Sequence, residues 1–166
     1  MNKIAILYGT SGGSVESVAK QVQDLFEGTA DIYNVLDVSL SEIQDYKYII
    51  VGTSTTGIGD LQDDWEGFLP SFAKIDFTGK KVAIFALGDS ASYSTSFAES
   101  MKVVYDEIYD KVEVVGRVPD VGYMYDDSTA VEDGVWFGLP LDEDNEYDMT
   151  EERLEKWVEQ LKKEFV

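Results

Sequence analysis

The sequence predicts an α/β fold in which a doubly wound, five-stranded parallel sheet lies between two layers of helices. Short apolar runs, each ending near a glycine or a small polar residue, alternate along the chain with segments whose apolar residues recur at helical spacing. Strands that alternate with helices form parallel sheets covered on both faces by right-handed crossovers. The 166 residues, 44% of them hydrophobic, contain no repeat and no flexible linker, so we interpret residues 1–166 as a single domain.

The first half of the chain begins with an apolar run at residues 3–8 (KIAILY), which fits a buried parallel strand. A helix follows, with Ser14 as its N-cap and Gly28 as its stop. Its apolar face consists of Val15, Val18, Ala19, Val22, Leu25 and Phe26. Residues 30–35 form a weaker strand, and residues 46–52 (YKYIIVG) form a strongly apolar one.

The middle of the chain contains one further strand and two helices. Residues 65–73 form a short helix that contains Pro70, and residues 81–86 (KVAIFA) form the fourth strand. A second amphipathic helix follows, because five apolar residues there lie on one helical face: Phe97, Met101, Val104, Tyr105 and Ile108.

The last part of the chain contains the fifth strand and a long helix. Residues 112–116 (VEVVG) begin the strand, and we expect it to resume at residues 136–139 after an interruption. The helix is predicted from about Glu151, behind Thr150 as its cap. Its apolar face consists of Leu154, Trp157, Val158, Leu161 and Phe165.

The composition excludes several kinds of chemistry. The chain has no cysteine and no histidine, so it lacks thiolate nucleophiles, iron–sulfur clusters, cysteine-type zinc sites and the commonest general base. Redox chemistry therefore requires an organic cofactor. The formal net charge of −20 argues against nucleic acid or an anionic membrane as a partner. It fits steering toward a basic protein surface, although solubility alone also accounts for it.

Three polar loops follow the first, third and fourth strands, where a parallel sheet binds ligands beyond its carboxyl edge. The first loop (residues 9–16, GTSGGSVE) has three glycines and three hydroxyls but no Lys or Arg, which excludes a triphosphate-binding GK[ST] loop. It fits a phosphate monoester held by neutral donors, and equally an ordinary strand–helix turn. The second loop (residues 53–61) and the third loop (residues 87–93) are rich in small residues. Tyr93 in the third loop can stack on a planar ring.

These stretches resemble the flavodoxin family, specifically its long-chain branch, along the whole chain. The matching segments are residues 8–10 (YGT), 16–19 (ESVA), 58–62 (IGDLQ), 64–67 (DWEG), 88–89 (GD) with Tyr93, and 141–145 (LDEDN). Residues 117–135 resemble the family's long-chain insertion within the fifth strand; we call them the insertion. The resemblance implies a flavodoxin-like three-layer fold with strand order 2-1-3-4-5, the known example of FMN bound at such a sheet's switch point.

The resemblance also implies the site and the activity. One bound FMN, held without a covalent bond, would cycle between semiquinone and hydroquinone at low potential. Tyr93 would stack on the outer face of its ring, and the phosphate cradle would consist of Thr10, Ser11, Gly12, Gly13, Ser14 and Val15. The inner face and the N5 edge of the ring would lie against Thr55, Thr56, Gly57, Ile58 and Gly59. The remaining contacts would be with Leu87, Gly88, Asp89, Ser96, Phe97 and Asp144.

Three residues depart from the family's usual pattern. Gly12 and Val15 stand where side-chain phosphate donors are common, and Thr56 stands where a Trp often covers the inner face of the ring. We therefore expect weaker FMN binding and a more accessible ring, with Ile58 as a candidate cover. The carboxylates of residues 142–146 lack the spacing of a calcium loop, so we predict no metal site.

The expected function is electron transfer between larger redox enzymes by a monomeric, cytoplasmic carrier with no catalytic residue. The resemblance implies a photosystem or ferredoxin–NADP reductase as donor, and a ferredoxin-dependent reductase or another iron–sulfur enzyme as acceptor. One alternative is a flavodoxin-like FMN quinone reductase, which would need basic residues at the ring loops for the phosphates of NAD(P)H. Another is a flavin-free phospho-accepting receiver, but residues 9–10 and 53–54 lack the acids that it requires.

Overall fold

The computed structural model describes residues 2–166. The helices are α1 (Ser14–Leu25), α2 (Leu40–Ile43), α3 (Asp63–Phe72), α4 (Ser100–Ile108) and α5 (Tyr147–Glu164). The strands are β1 (Ile4–Tyr8), β2 (Ala30–Asn34), β3 (Tyr48–Thr56), β4 (Asp60–Leu61), β5 (Lys81–Leu87), β6 (Glu113–Val115), β7 (Val131–Glu132), β8 (Val135–Trp136) and β9 (Leu139–Leu141). Among the described residues, no helix is both long enough and apolar enough to cross a lipid bilayer.

The central sheet has the order β2-β1-β3-β5-β6, and all of these neighbours are parallel. Strand β6 pairs with the first residues of β5 (Lys81 opposite Glu113), whereas β9 pairs with the last ones (Leu87 opposite Leu141). Two short strands thus occupy the fifth position, and the predicted order 2-1-3-4-5 with a split fifth strand is confirmed. The short strand β4 folds back antiparallel on the end of β3.

Alternate residues of the strands pack into two cores, one on each face of the sheet. In β1, the side chains of Ile4, Ile6 and Tyr8 join the core under α1 and α5. Ala5 and Leu7 join the core under α3 and α4. This burial on both faces explains why the central strands are continuously apolar in the sequence. The sheet is therefore rigidly held, and its carboxyl edge presents the three loops.

The segment between β6 and β9 differs in part from the prediction. Residues 136–139 were expected to resume the fifth strand, but it resumes at β9 (Leu139–Leu141). Trp136 instead pairs with Val131 in a β7–β8 hairpin, whose turn residues Asp133 and Gly134 both have positive φ. This is the Asp-Gly turn that matches the strand twist. The interpretation of residues 117–135 as a long-chain insertion within one domain stays a prediction.

The last helix begins earlier than the sequence indicated. It starts at Tyr147, so Thr150 is not its cap but a helical residue, 3% exposed. Thr150 lies four residues before Leu154 and therefore shares the buried face of the helix. In α3, Pro70 is accommodated inside the helix as predicted.

Candidate functional site

The carboxyl ends of β1, β3 and β5 open into one pocket of about 250 Å³. The three loops and the stretch after β9 contribute its walls. The lining residues are Thr10, Ser11, Gly12, Ser14, Val15, Ser54, Thr55, Leu87, Gly88, Asp89, Tyr93, Glu143 and Asp144. The lining contains no Lys or Arg. The structure thus brings together eleven residues that the sequence predicted for the site, together with Ser54 and Glu143, which it did not.

The first loop ends in a helix N-terminus with free donors. Gly13, not Ser14, is the N-cap of α1, because the turn requires a φ of 93° there, which glycine adopts without strain. The Gly13 N–H donates to the Thr10 hydroxyl at 2.9 Å. Among the described residues, the N–H groups of Ser14 and Val15 have no acceptor. These groups and the helix dipole favour an anion at this end of the pocket.

One wall of the first loop is fixed by the start of α3. Gln62, 1% exposed, donates from its side-chain amide to the Ser11 hydroxyl at 3.1 Å. Its carbonyl accepts the Trp65 N–H at 3.1 Å and caps α3. Trp65 is fully buried, and its indole N–H donates to the Gly52 carbonyl. It packs in the core and does not line the pocket.

Only the start of the second loop lines the pocket. Thr55 lines the pocket, and its hydroxyl lies 2.8 Å from that of Ser100 at the start of α4. Thr56 and Gly59 instead line a neighbouring groove between α3 and α4. Gly57 and Ile58 form the exposed tip, and the Ile58 side chain is 80% exposed. Ile58 therefore does not cover the pocket in this structure.

The third loop holds an aromatic ring at the rim of the pocket. The Gly88 N–H donates to the Leu141 carbonyl at 2.9 Å, and the Tyr93 N–H donates to the Asp89 carbonyl at 2.9 Å. The Tyr93 side chain lines the pocket and is 41% exposed. A tyrosine ring that is fixed through its backbone and open on one face can stack on a planar ligand.

Ser96 and Phe97 lie behind the third loop rather than in the pocket. Both are buried, and the Phe97 ring packs perpendicular to Trp136 at 5.7 Å between centroids. A Cβ at Gly88 would lie 2.9 Å from the Phe97 ring, so that ring supports the backbone of the third loop from inside. The predicted roles of Ser96 and Phe97 in direct ligand contact stay predictions.

The acidic side of the pocket is strongly hydrogen-bonded. Asp89 accepts the N–H groups of Ala91 and Ser92 and the side-chain amide of Asn145. These donors, the Ser92 N–H first among them, hold the pKa of Asp89 below its usual range. Burial and the nearby charges of Asp89 and Asp142 instead raise the pKa of Asp144.

The carboxylate oxygens of Asp89, Asp142 and Asp144 lie within 4.8 Å of one another. Asp142 is fully buried and accepts hydrogen bonds from Ser90 and Asn145. Because protein donors already satisfy Asp89 and Asp142, we assign no metal to this cluster.

Glu143 is a pocket residue that the sequence did not single out. Its Oε1 is shielded from solvent and has no hydrogen-bond partner among the described residues. A buried acceptor without a donor is costly, so a ligand that brings an O–H or N–H group would relieve it. Its position two residues after Leu141, at the sheet edge, is the only sequence signal for it.

Comparison with known proteins matches this chain over almost its full length. The sequence profile of a family described as Flavodoxin matches residues 6–157. The chain belongs to the flavodoxin family. Flavodoxin from a Nostoc species is 39% identical over 165 residues, which cover 98% of this chain and 97% of the relative. Flavodoxin from Helicobacter pylori is also 39% identical, with 99% of each chain covered.

The same family is found among solved structures. The crystal structure of Fusobacterium nucleatum flavodoxin bound to flavin mononucleotide has a TM-score of 0.91 and 30% identity to this chain, and the comparison covers 99% of each chain. The predicted membership of the flavodoxin family is thus confirmed, and so is the three-layer fold. Flavodoxins are electron-transfer proteins.

Proposed function

We propose that this flavodoxin binds one FMN without a covalent bond and carries single electrons between larger redox enzymes. The observation that carries the proposal is one pocket that combines a cation-free helix N-terminus at one end with the exposed Tyr93 ring at its rim. A phosphate monoester fits the first, and a flat aromatic ring fits the second.

The first loop fits a phosphate. The N–H groups of Ser14 and Val15 and the hydroxyls of Ser11 and Ser14 are available as donors. No atom lies within 4 Å of the place where a Cβ at Gly12 would be, so this part of the loop leaves room for phosphate oxygens. The Val15 side chain is buried in the core, and this residue therefore contributes only its backbone donor.

The rest of the pocket fits a flavin and its ribityl chain. Tyr93 would stack on the ring, with Thr55, Leu87 and Gly88 along its edge. The unpartnered Glu143 Oε1 would accept a hydrogen bond from a hydroxyl or a ring N–H. A pocket of about 250 Å³ is smaller than the ~300–1,000 Å³ of sites that enclose their ligands. FMN would therefore keep an exposed edge, which suits electron transfer to a docked partner.

Bound FMN would supply the one-electron chemistry that a chain without cysteine or histidine lacks. The protein's own part is electrostatic. Asp89 and Asp144 line the pocket, and Asp60 lies in the second loop beside it. Negative charge added among these carboxylates is disfavoured, so the second electron would enter only at low potential. No side chain is placed to act on a substrate, and we infer a carrier rather than an enzyme.

The α3–α4 groove supports a basic docking partner. This groove, about 520 Å³ in volume, adjoins the second loop and is lined by the acids Asp60, Asp63, Glu66 and Glu107 but by no Lys or Arg. It fits Lys or Arg side chains of a redox enzyme. We infer ferredoxin–NADP reductase or a photosystem as the donor and a ferredoxin-dependent reductase or another iron–sulfur enzyme as the acceptor. A monomer in the cytoplasm is the simplest setting.

The alternative, an FMN quinone reductase, is not favoured. Direct use of NAD(P)H requires cations for its phosphates, and the residues that line the pocket and the α3–α4 groove include none. Adding NADPH alone to the FMN-loaded protein under anaerobic conditions would bleach the flavin absorbance only if this alternative holds.

Titration of the apoprotein with FMN, followed by quenching of flavin fluorescence, tests the proposed binding site. We expect one FMN per chain and nearly complete quenching. Tyr93→Ser should weaken binding about tenfold, since an aromatic stack contributes about 0.5–1.5 kcal/mol beyond its buried area. Tyr109→Ser is the matched control, because Tyr109 is 56% exposed and stacks only on Tyr105. Equal losses in both variants would contradict the proposal.

A further inference from the structure

The insertion is joined by hydrogen bonds to the segment that follows Tyr93. The N–H groups of Asp126 and Asp127 donate to the Ser94 carbonyl at 2.8 and 2.9 Å. The Ser94 hydroxyl donates to the Asp126 carboxylate at 2.8 Å, and the Ser128 hydroxyl donates to the Phe97 carbonyl at 2.6 Å. Residues 126–129 of the insertion therefore follow residues 94–99 closely, up to the start of α4.

Glu99 is the last contact of this series and the N-cap residue of α4. Its Oε2 accepts the backbone N–H of Thr129 at 2.7 Å. As a charge-assisted hydrogen bond to a backbone donor, this contact is stronger than a bond between neutral groups. Glu99 thus holds the insertion by its main chain, so the contact does not depend on the identity of the side chain at position 129.

The other oxygen of the same carboxylate reaches the second loop. A Cβ at Gly59 would lie 2.6 Å from Glu99 Oε1, so the carboxylate lies directly against the Gly59 backbone, in space that any side chain there would occupy. Gly59 has a φ of 80°, which only glycine adopts readily. The next residue, Ser100, bonds to Thr55 at the other end of this turn. The Thr55 end of the turn is thus hydrogen-bonded to the start of α4, and the Gly59 end packs against Glu99. The tip at Gly57 and Ile58 is exposed.

We propose that Glu99 is a positioning residue that bridges the insertion to the second loop, so that the insertion restricts the turn at residues 57–59. This inference rests on the proposed function, and its redox part also rests on the family resemblance, which implies that this turn would lie beside the N5 edge of bound FMN. A turn held at both ends can rearrange only at its tip. The bridge would therefore limit how much the turn contributes to each one-electron step, without touching FMN itself.

The bridge is tested first in the apoprotein, by hydrogen exchange of backbone amides. Glu99→Ala removes both contacts, whereas Glu99→Gln keeps an uncharged acceptor of the same shape. We expect exchange at Thr129 and at residues 57–59 to accelerate about tenfold in Glu99→Ala and clearly less in Glu99→Gln. Glu155→Ala, an exposed change on α5, is the control and should leave both regions unchanged. Acceleration at Thr129 alone would overturn the bridge.

The redox consequence is tested by reductive titration of the FMN-loaded variants. Glu99→Ala should change the equilibrium constant between the one-electron form and the oxidised and fully reduced forms about fivefold. In Glu99→Gln this constant should stay close to that of the parent protein. Equal shifts in both variants would mean that only the charge matters and would overturn the inference. A chain that binds no FMN would refute the proposed function and the redox part together, whereas the bridge is decided by hydrogen exchange alone.

Discussion

The side-chain amide of Gln62 donates a 3.1 Å hydrogen bond to the hydroxyl oxygen of Ser11, and so connects the start of α3 to the first loop. Because the Ser11 oxygen accepts this bond, its own proton is free to be donated into the pocket. Gln62 is buried and also caps α3 through its side-chain carbonyl. The phosphate end of the proposed site is therefore oriented by a residue that does not itself line the pocket.

Replacing Gln62 by glutamate should weaken FMN binding by about tenfold or more. A carboxylate can still cap α3, but it would accept a hydrogen bond from the Ser11 hydroxyl, which would then no longer donate to the phosphate. It would also place negative charge beside the phosphate. The loss of a hydrogen bond to a charged group is about 1.5–3 kcal/mol. Fluorescence titration with FMN measures the change. Gln44→Glu is the matched control, because Gln44 makes a similar amide contact with the Asp76 carbonyl away from the pocket. An unchanged dissociation constant for Gln62→Glu would contradict this role.

A hydroxyl at position 12 should tighten FMN binding. Gly12 has open space where a side chain would extend and is not among the glycines with positive φ, so serine is accommodated without strain. We expect Gly12→Ser to lower the dissociation constant about tenfold, since it restores a donor to a charged group. Gly13→Ser is the control: the space there is also open, but the φ of 93° strains any side chain and should weaken binding. Weaker binding in both variants would mean that no phosphate lies at this loop.

The turn at Gly57 predicts a redox effect that is independent of packing. Gly57 has a φ of 52°, and its Cβ position has only the Asp60 carboxylate within 4 Å, at 3.7 Å. Gly57→Ala would therefore cost about 1–2 kcal/mol through the backbone alone. The family resemblance implies that this turn would lie at the N5 edge of the ring, and glycine's tolerance of positive φ would let its backbone adjust to the one-electron form. We therefore expect Gly57→Ala to lower the maximal fraction of that form in an anaerobic reductive titration. Gly67→Ala, in the open middle of α3, should leave that fraction unchanged; a Gly57→Ala variant that behaves in the same way would refute the role of this turn.

The raised pKa of Asp144 predicts how stability depends on pH. Burial, with the charges of Asp89 and Asp142, raises this pKa, so the ionised carboxyl reduces stability at every pH above the raised value. Protonation removes that cost as the pH falls through it. Because Asp144 is exposed and solvent screens its charge, Asp144→Asn should raise the melting temperature of the apoprotein at pH 7 only slightly, by about 1 °C, and the gain should vanish below about pH 4.

In so acidic a chain, any change of an acid to its amide would slightly raise the melting temperature, because it lowers the net negative charge. Asp110→Asn, at an exposed position after α4, is the control for this general effect. A gain for Asp144→Asn no larger than that for Asp110→Asn would show that the local charges around Asp144 do not matter.

Much of the fold could be predicted from the sequence because the central strands are buried on both faces. Residues 3–8, 46–52 and 81–86 are apolar apart from Lys3, Lys47 and Lys81, and each ends where a ligand loop begins. The errors fall where tertiary contacts override local signals. Thr150 has the chemistry of an N-cap but lies on the buried face of α5, and Trp136 is apolar yet belongs to a hairpin rather than to the central sheet.

Only the part of the site formed by the loops at the carboxyl edge of the sheet could be predicted from the sequence. Side chains that act across the fold left no local signal: Gln62 lies in the run that precedes α3, and Glu143 lies in an acidic stretch with several similar residues. Thr56 lies in the α3–α4 groove rather than in the pocket. This placement depends on how β4 folds back on β3. The periodicity of apolar residues in the sequence does not predict how β4 folds back on β3.

The most direct test of the account is the visible spectrum of the protein with FMN during stepwise anaerobic reduction. We predict retained flavin bands that give way first to a long-wavelength one-electron form and then, at low potential, to the fully reduced flavin. Loss of the flavin on gel filtration, or reduction in a single two-electron step, would contradict the proposal that this flavodoxin carries single electrons.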